Sequence, residues 1–249
     1  MNYILEACVD SVESAVNSQK GGADRLELCS NLIIGGTSPS IELFKLVKQN
    51  VDIKINVLIR PRFGDFLYSD YEFEIIKNEI ELFKSYKANG VVIGVLNADA
   101  ELDMERMEKL MNITDKMEVT LHRAFDMTKD PFKALRQAEK LGIDTILTSG
   151  QKNSAKDGAE LLNNLQNSTD KISIMVGGRV DCELIDTMSR HTNIKAYHLS
   201  GKETVDSKMT YRKSDVSMGL PIMSEYDIWQ TSEENIRKAR DVIDKNSLV

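Results

Sequence analysis

The stretch YILEACVDSVESAVNSQKGGADRLELC, residues 3–29, holds two short apolar runs on either side of a helical pattern. YILEAC and DRLELC have the length and composition of buried strands. Between them, Val12, Ala15 and Val16 recur at the spacing of one helix face. A strand, a helix and a second strand in this order form a unit whose two strands lie parallel. The stretch therefore predicts an α/β fold built on a parallel sheet.

The same alternation of strand and helix continues along the chain until eight strands have been counted. Eight strand and helix units in 249 residues are typical of a TIM (β/α)8 barrel, and we predict a single barrel domain over residues 1–249. An open, doubly wound sheet is the main alternative. The six further runs are KINVLIR (54–60), GVVIGVL (90–96), MEVTLHR (117–123), DTILTS (144–149), KISIMV (171–176) and IKAYHLS (194–200).

Residues 202–230 depart from this pattern because they are long for a connection between a strand and a helix. We predict that this loop after strand eight caps one end of the barrel or makes a contact between copies of the chain. Only four prolines and no Gly/Ser-rich linker interrupt the chain, so the sequence places no domain boundary.

Composition narrows the classes of partner. A net charge of −7 and scattered basic residues argue against nucleic-acid binding. The first twenty residues lack the pattern of a signal peptide, and no run of eighteen apolar residues follows, so we expect a cytoplasmic protein without a membrane partner. Three cysteines, an odd number, fit a reducing compartment. Phosphate-loop, Gly-x-Gly-x-x-Gly, Gly-x-Ser-x-Gly and His-Glu-x-x-His motifs do not occur, and we expect no nucleotide cofactor.

Two predicted strands end in the same Glu-x-Cys pattern, Glu6/Cys8 on the first and Glu27/Cys29 on the second. A spacing of two places both side chains on one face of each strand. In a barrel of this kind, functional groups collect at the C-terminal ends of the strands. Further polar or glycine residues at predicted strand ends are Arg60, Arg62, His122, Arg123, Ser149, Gly150, Gly177, Gly178, His198 and Ser200.

The paired cysteines allow a metal interpretation. Cuprous ion prefers thiolates, so Cys8 and Cys29 on adjacent strand ends could hold Cu(I), with His122 or His198 adding imidazole. The alternative is that both cysteines are small buried apolar residues. Cys182, at the start of a predicted helix, is assigned no role.

The paired glutamates allow an enzyme interpretation. Buried carboxylates need partners or must be neutral, and Arg60, Arg62 and Arg123 are the expected partners of Glu6 and Glu27. These charges form either a structural salt-bridge layer or a site that grips a carboxylate or phosphate.

In the second case Glu27 or His122 would serve as general acid or base. Backbone N–H groups could bind an anion at three turns, Ser149-Gly150, Gly177-Gly178 and Ser200-Gly201. Glu6 and His198 are predicted as further ligand-binding residues. A glycine after a strand can equally serve only to make the turn.

Six segments in order resemble the CutC family of copper-homeostasis proteins: CVDSVESA (8–15), GGADRLELCSNL (21–32), IRPRFGDFLYS (59–69), HRAFDM (122–127), ILTSG (146–150) and YHLSG (197–201). The resemblance implies a TIM barrel, a cytoplasmic location, a tendency to form homo-oligomers and copper tolerance or Cu(I) binding at Cys8 and Cys29. The sequence departs from the family pattern at residues 36–39 and at Arg179, where a third small residue is common.

The leading hypothesis is thus a cytoplasmic copper-homeostasis protein that binds Cu(I) through Cys8 and Cys29. The alternative is a TIM-barrel enzyme of unknown reaction that acts on a small anionic metabolite bearing a phosphate or carboxylate.

Overall fold

The eight predicted strands form a closed parallel barrel in the order in which they occur along the chain. A computed structural model describes residues 3–219 and 223–247. The barrel confirms the predicted TIM fold and excludes the open sheet, because the first strand pairs with both the second and the eighth. The strands are β1 (Ile4–Val9), β2 (Arg25–Leu28), β3 (Lys54–Leu58), β4 (Gly90–Ile93), β5 (Glu118–Leu121), β6 (Thr145–Thr148), β7 (Ser173–Val176) and β8 (Ala196–Leu199).

Helices connect the strands and cover the outside of the barrel. Most begin at a side chain that accepts a hydrogen bond from the first turn, such as Ser69, which forms a capping box with Glu72. The helices are α1 (Val12–Lys20), α2 (Ile41–Asn50), α3 (Asp70–Ser85), α4 (Met104–Thr114), α5 (Pro131–Leu141), α6 (Ala159–Asn167), α7 (Cys182–His191) and α8 (Glu233–Ser247), with short 3-10 helices at Leu32–Ile34 and Arg123–Met127.

The core has an outer and an inner part. Outward-facing strand residues such as Leu26 and Val57 pack with helix residues such as Phe44 and Phe83 in one large apolar layer. The alternate residues face the inside of the barrel, where the apolar residues form only two small clusters within the described part of the chain. One cluster contains Cys8, Cys29, Leu58 and Val92, and the other contains Leu147, Met175 and Ala196. The remaining interior space is occupied by polar side chains, which is where the site lies.

The register between strands decides which polar residues meet. On β1, Glu6 pairs with Arg25 of β2 and with His198 of β8. One step further along the same face, Cys8 pairs with Glu27. Because interior residues alternate, these pairings bring side chains from three neighbouring strands into one interior region.

The segment after β8 forms an antiparallel hairpin of β9 (Lys202–Asp206) and β10 (Asp227–Thr231). Its second strand is attached to α1, since Asn17 donates to the Thr231 carbonyl and the Thr231 N–H donates to Ser14. Residues 220–222 of the predicted cap or oligomer contact lie outside the described residues. Within the described part of the chain, no helix is both long and apolar enough to cross a membrane.

Candidate functional site

A cavity of about 380 Å³ opens at the C-terminal ends of the strands. This is the end of a TIM barrel where ligands and reacting groups are expected. Its wall combines charged, aromatic and aliphatic side chains: Cys8, Glu27, Leu32, Ile34, Gly35, Leu58, Arg60, Phe66, His122, Arg123, Asp126, Met127, Leu147 and His198. Of the fourteen residues that the sequence proposed for the site, six line the cavity: Cys8, Glu27, Arg60, His122, Arg123 and His198.

Glu6 lies below the cavity, fully buried between two cationic partners. Its Oε2 atom is 2.5 Å from Arg25 Nε and its Oε1 atom is 2.8 Å from His198 Nδ1. Burial favours the neutral acid, but Arg25 and His198 outweigh it and hold the pKa of Glu6 below its ordinary value. In the same way burial opposes the charged imidazole, yet Glu27 and Glu6 raise the pKa of His198.

The two cysteines are close enough to act together. Their Sγ atoms are 3.8 Å apart, and Cys8 Sγ is 3.5 Å from Glu27 Oε1. The hydrogen bond with Cys29, burial and the nearby carboxylates raise the pKa of Cys8 well above its ordinary value. Cys29 is fully buried behind Cys8 and contacts the Val9 carbonyl. Both thiols are free.

Glu27 occupies the middle of the site. Burial, only partly offset by His198, raises the pKa of its carboxyl group. The ligand atoms of Cys8, Glu27 and His198 lie within 4.8 Å of one another, a separation at which they could hold a metal ion. His198 directs its Nδ1 at Glu6, which leaves Nε2 as its ligand atom. A carboxylate on the far nitrogen is the usual arrangement behind a metal-binding histidine.

His122 is buried on the opposite side of the cavity as a neutral imidazole. Burial and the charge of Arg60 lower its pKa to about 3. Its Nδ1 atom accepts from the Ala124 N–H, so the proton is on Nε2, which has no partner among the described residues. Gly94 makes room for the ring, because a Cβ atom at residue 94 would lie 2.7 Å from His122 Cε1.

Arg60, Arg62 and Arg123 were expected to neutralise Glu6 and Glu27, but all three have other partners. For Glu6 the prediction was wrong, because its arginine partner is Arg25. Arg25 is the partner of Glu6 because it faces Glu6 across the β1/β2 ladder. Arg62 points towards α3, where it pairs with Glu72, and it also pairs with Asp65 in the loop before this helix. Arg60 donates to the carbonyls of residues 35, 36 and 64.

Arg123 pairs with Asp126, whose carboxylate occupies the turn that we expected to bind an anion. Asp126 also accepts from the N–H groups of Ser149 and Gln151 and from the Thr148 hydroxyl. The Gly150 N–H donates to the Thr148 hydroxyl. The N–H groups of Ser149 and Gly150 are therefore unavailable to an external anion, because the Asp126 carboxylate accepts from the first and the Thr148 hydroxyl from the second.

The other turn residues lie beyond the cavity wall. The Gly177 N–H donates to the Thr148 carbonyl, and the Gly178 carbonyl accepts from the Ala155 N–H. The Ser200 carbonyl accepts from the Thr231 hydroxyl. These contacts hold strands β7 and β8 to their neighbours, which is a structural use of the turns.

Three polar residues were missed by the sequence analysis. Arg25 could have been found, because it precedes Glu27 by two positions and so shares its face. Asn56 is fully buried on β3 and could have been found in the same way, from its alternation with the apolar residues of that strand. Asp126 stands within HRAFDM, but nothing in the sequence indicated that it would fold back onto β6.

The profile of the family described as "CutC family" matches residues 3–203. The chain belongs to the CutC family. A "Copper homeostasis protein cutC homolog" of Homo sapiens is 44% identical over 249 residues, covering 99% of this chain and 91% of that protein. A CutC family protein of Parabacteroides distasonis is 42% identical over 240 residues, covering 95% and 99%. The crystal structure of a putative copper homeostasis protein CutC from Streptococcus agalactiae matches with a TM-score of 0.76 and 30% identity, covering 80% of this chain and 98% of that chain.

Proposed function

We propose that this CutC protein acts in copper homeostasis by binding Cu(I) through Cys8 and Cys29. The observation that carries the proposal is the Sγ–Sγ separation of 3.8 Å between the two free thiols. Metal–thiolate bonds are about 2.3 Å long, so two of them reach about 4.6 Å and can span this separation. Soft thiolates are the protein ligands that select Cu(I).

The surroundings of the thiols support transient occupancy. Cys8 lines the open cavity, which gives an ion a path to the sulfur atoms, while Cys29 is sealed behind it. The ion must displace the thiol protons, since thiolates and not thiols coordinate metals. The raised pKa of Cys8 makes this displacement costly at neutral pH. Affinity for Cu(I) is then expected to increase with pH.

Two further parts of the hypothesis belong with this proposal. A cytoplasmic location would keep the thiols reduced, as Cu(I) binding requires. A homo-oligomer could use the segment 202–230, whose described part exposes Met209, Tyr211 and Met218.

The test is a titration of reduced protein with Cu(I) against a competing chromophoric chelator. Cys8→Ser and Cys29→Ser should each weaken binding by about tenfold or more, because each removes one of two soft ligands. Cys182→Ser is the matched control, since this cysteine lies on α7 away from the cavity, and its affinity should equal that of the wild type. Equal affinities in all four proteins would overturn the proposal.

A further inference from the structure

Arg60 is a buried cation without a carboxylate partner among the described residues. Its side chain lines the cavity, and its NH1 and NH2 groups donate only to backbone carbonyls. The Nε group has no hydrogen-bond partner within residues 3–219 and 223–247. By contrast, Arg62 and Arg123 both pair with carboxylates. Burying an unpaired charge costs free energy. A buried, unpaired guanidinium on a cavity wall therefore indicates that a bound anion serves as its counter-ion.

His122 provides a second unsatisfied donor on the same wall. Its Nε2–H group is buried and has no partner in the described part of the chain. Because Nδ1 accepts from the Ala124 N–H, the neutral ring keeps its proton on Nε2 and cannot become an acceptor there. Phe66 lies between the two residues, 5.1 Å from the Arg60 guanidinium and 4.8 Å from the imidazole centroid. The Arg60 guanidinium and the His122 Nε2–H therefore lie on the same wall of the cavity. Each of these buried donors needs an acceptor oxygen.

The size and remaining lining of the cavity limit the ligand. A volume of about 380 Å³ is at the lower end for small-molecule sites, and the wall includes Leu32, Leu58 and Leu147. Glu27 adds a buried carboxyl oxygen, Oε2, which also lacks a hydrogen-bond partner among the residues that the structure describes. A ligand that satisfies these groups is short, carries one anionic group and has a further oxygen beside it.

We propose that the cavity binds a small 2-oxo or 2-hydroxy carboxylic acid, with the carboxylate at Arg60 and the second oxygen at the His122 Nε2–H. The carboxylate supplies the counter-ion that Arg60 lacks. The neighbouring oxygen accepts from His122, and Glu27 lines the same cavity. This binding needs no copper, so it stands apart from the function proposed above.

The experiment uses metal-free, reduced protein of full length. Isothermal titration and thermal unfolding are measured with pyruvate, lactate and longer acids of the same two types up to six carbons. Propionate tests the second oxygen, and inorganic phosphate tests a general anion site. We expect at least one 2-oxo or 2-hydroxy acid to bind and to raise the unfolding temperature, with propionate about tenfold weaker or more.

Two variants and a matched control test the assigned residues. Arg60→Ala should abolish binding of the best acid. His122→Asn keeps a short acceptor for the Ala124 N–H but removes Nε2, so it should remove the preference over propionate and would still test the site if Arg60→Ala failed to fold. Arg240→Ala is the control, because this half-buried arginine of α8 also donates to a backbone carbonyl, that of Gly22, but pairs with Asp24 near the start of β2 and does not line the cavity.

The outcomes are distinct from those of the copper test. Binding by none of the acids, binding of phosphate alone, or equal binding by the Arg60→Ala and Arg240→Ala proteins would each overturn the inference. Cys29→Ser, which should weaken Cu(I) binding, should leave acid binding unchanged, because Cys29 does not line the cavity.

Discussion

The guanidinium of Arg25 lies 2.5 Å from the carboxylate of Glu6 inside the barrel, and both side chains are buried. Glu6 is bonded to His198 on its other oxygen, while Arg25 also reaches Glu118 at 3.6 Å. The pair and its two further contacts thus link four strands, β1, β2, β5 and β8, below the cavity and hold the imidazole of His198 that faces it. Removing one partner leaves a buried charge, which costs more than the intact pair contributes.

Arg25→Met tests this directly. We expect the free energy of unfolding, from urea denaturation at pH 7, to fall by about 3–5 kcal/mol because the buried Glu6 carboxylate loses its arginine partner. Adding Glu6→Gln should recover part of the loss, since the unpaired charge is then removed. Lys54→Met breaks a more exposed pair with Glu118 and should cost less than about 1 kcal/mol. A similar loss for Arg25→Met and Lys54→Met would contradict the role of the buried pair.

The fold could be predicted from the sequence to within a few residues at each strand, because buried parallel strands and amphipathic helices leave strong periodic patterns. The predicted run DTILTS, for example, contains the observed β6 (Thr145–Thr148). The sequence also placed Cys8, Glu27, His122 and His198 at strand ends, and these four residues line one cavity in the structure.

Pairing within the site could not be predicted in the same way. Strand alternation tells which face a residue occupies, but partners depend on register and on loop conformation. Arg62 was expected at the cavity, yet the turn after β3 directs it to Glu72 on α3. Asp126 was not expected to fill the turn at Ser149, because its position depends on the 3-10 helix after β5.

The ionisation of His198 should make stability depend on pH. Its pKa is raised above the ordinary value of 6.5 in the folded protein, so its contribution is complete below the unfolded value and is lost as pH rises through the folded one. The difference in unfolding free energy between wild type and His198→Asn should therefore be largest near pH 6 and shrink towards pH 9. Urea denaturation across this window measures it. A difference that is constant with pH would show that Glu6 and Glu27 do not favour the charged imidazole.

Thiol reactivity should separate the cysteines in the metal-free protein. Hydrogen bonding to Cys29, burial and nearby carboxylates raise the pKa of Cys8, whereas Cys182 is only half-buried on α7. We expect iodoacetamide at pH 7.5 to label Cys182 first and Cys8 at least about tenfold more slowly, because the thiolate is the reacting form. Peptide mass spectrometry gives the rates, and urea should equalise them. Rapid labelling of Cys8 in the folded protein would mean that it is already a thiolate.

Gly94 should be required for the position of His122. A Cβ atom there would lie 2.7 Å from the ring Cε1 and 3.0 Å from the Ala124 Cβ, closer than side chains normally approach. Because His122 is held through the Ala124 N–H, the ring cannot move away without losing that bond.

Gly94→Ala is therefore expected to lower the free energy of unfolding by about 1–3 kcal/mol, the usual cost of overpacking a well-filled interior. Gly219→Ala is the matched control, since no described residue lies within 4 Å of a Cβ atom at that position, and it should change stability by less than about 0.5 kcal/mol. Urea denaturation measures both. If Gly94→Ala were as stable as Gly219→Ala, the imidazole would have room to shift, and the unpaired Nε2–H would not be fixed towards a ligand.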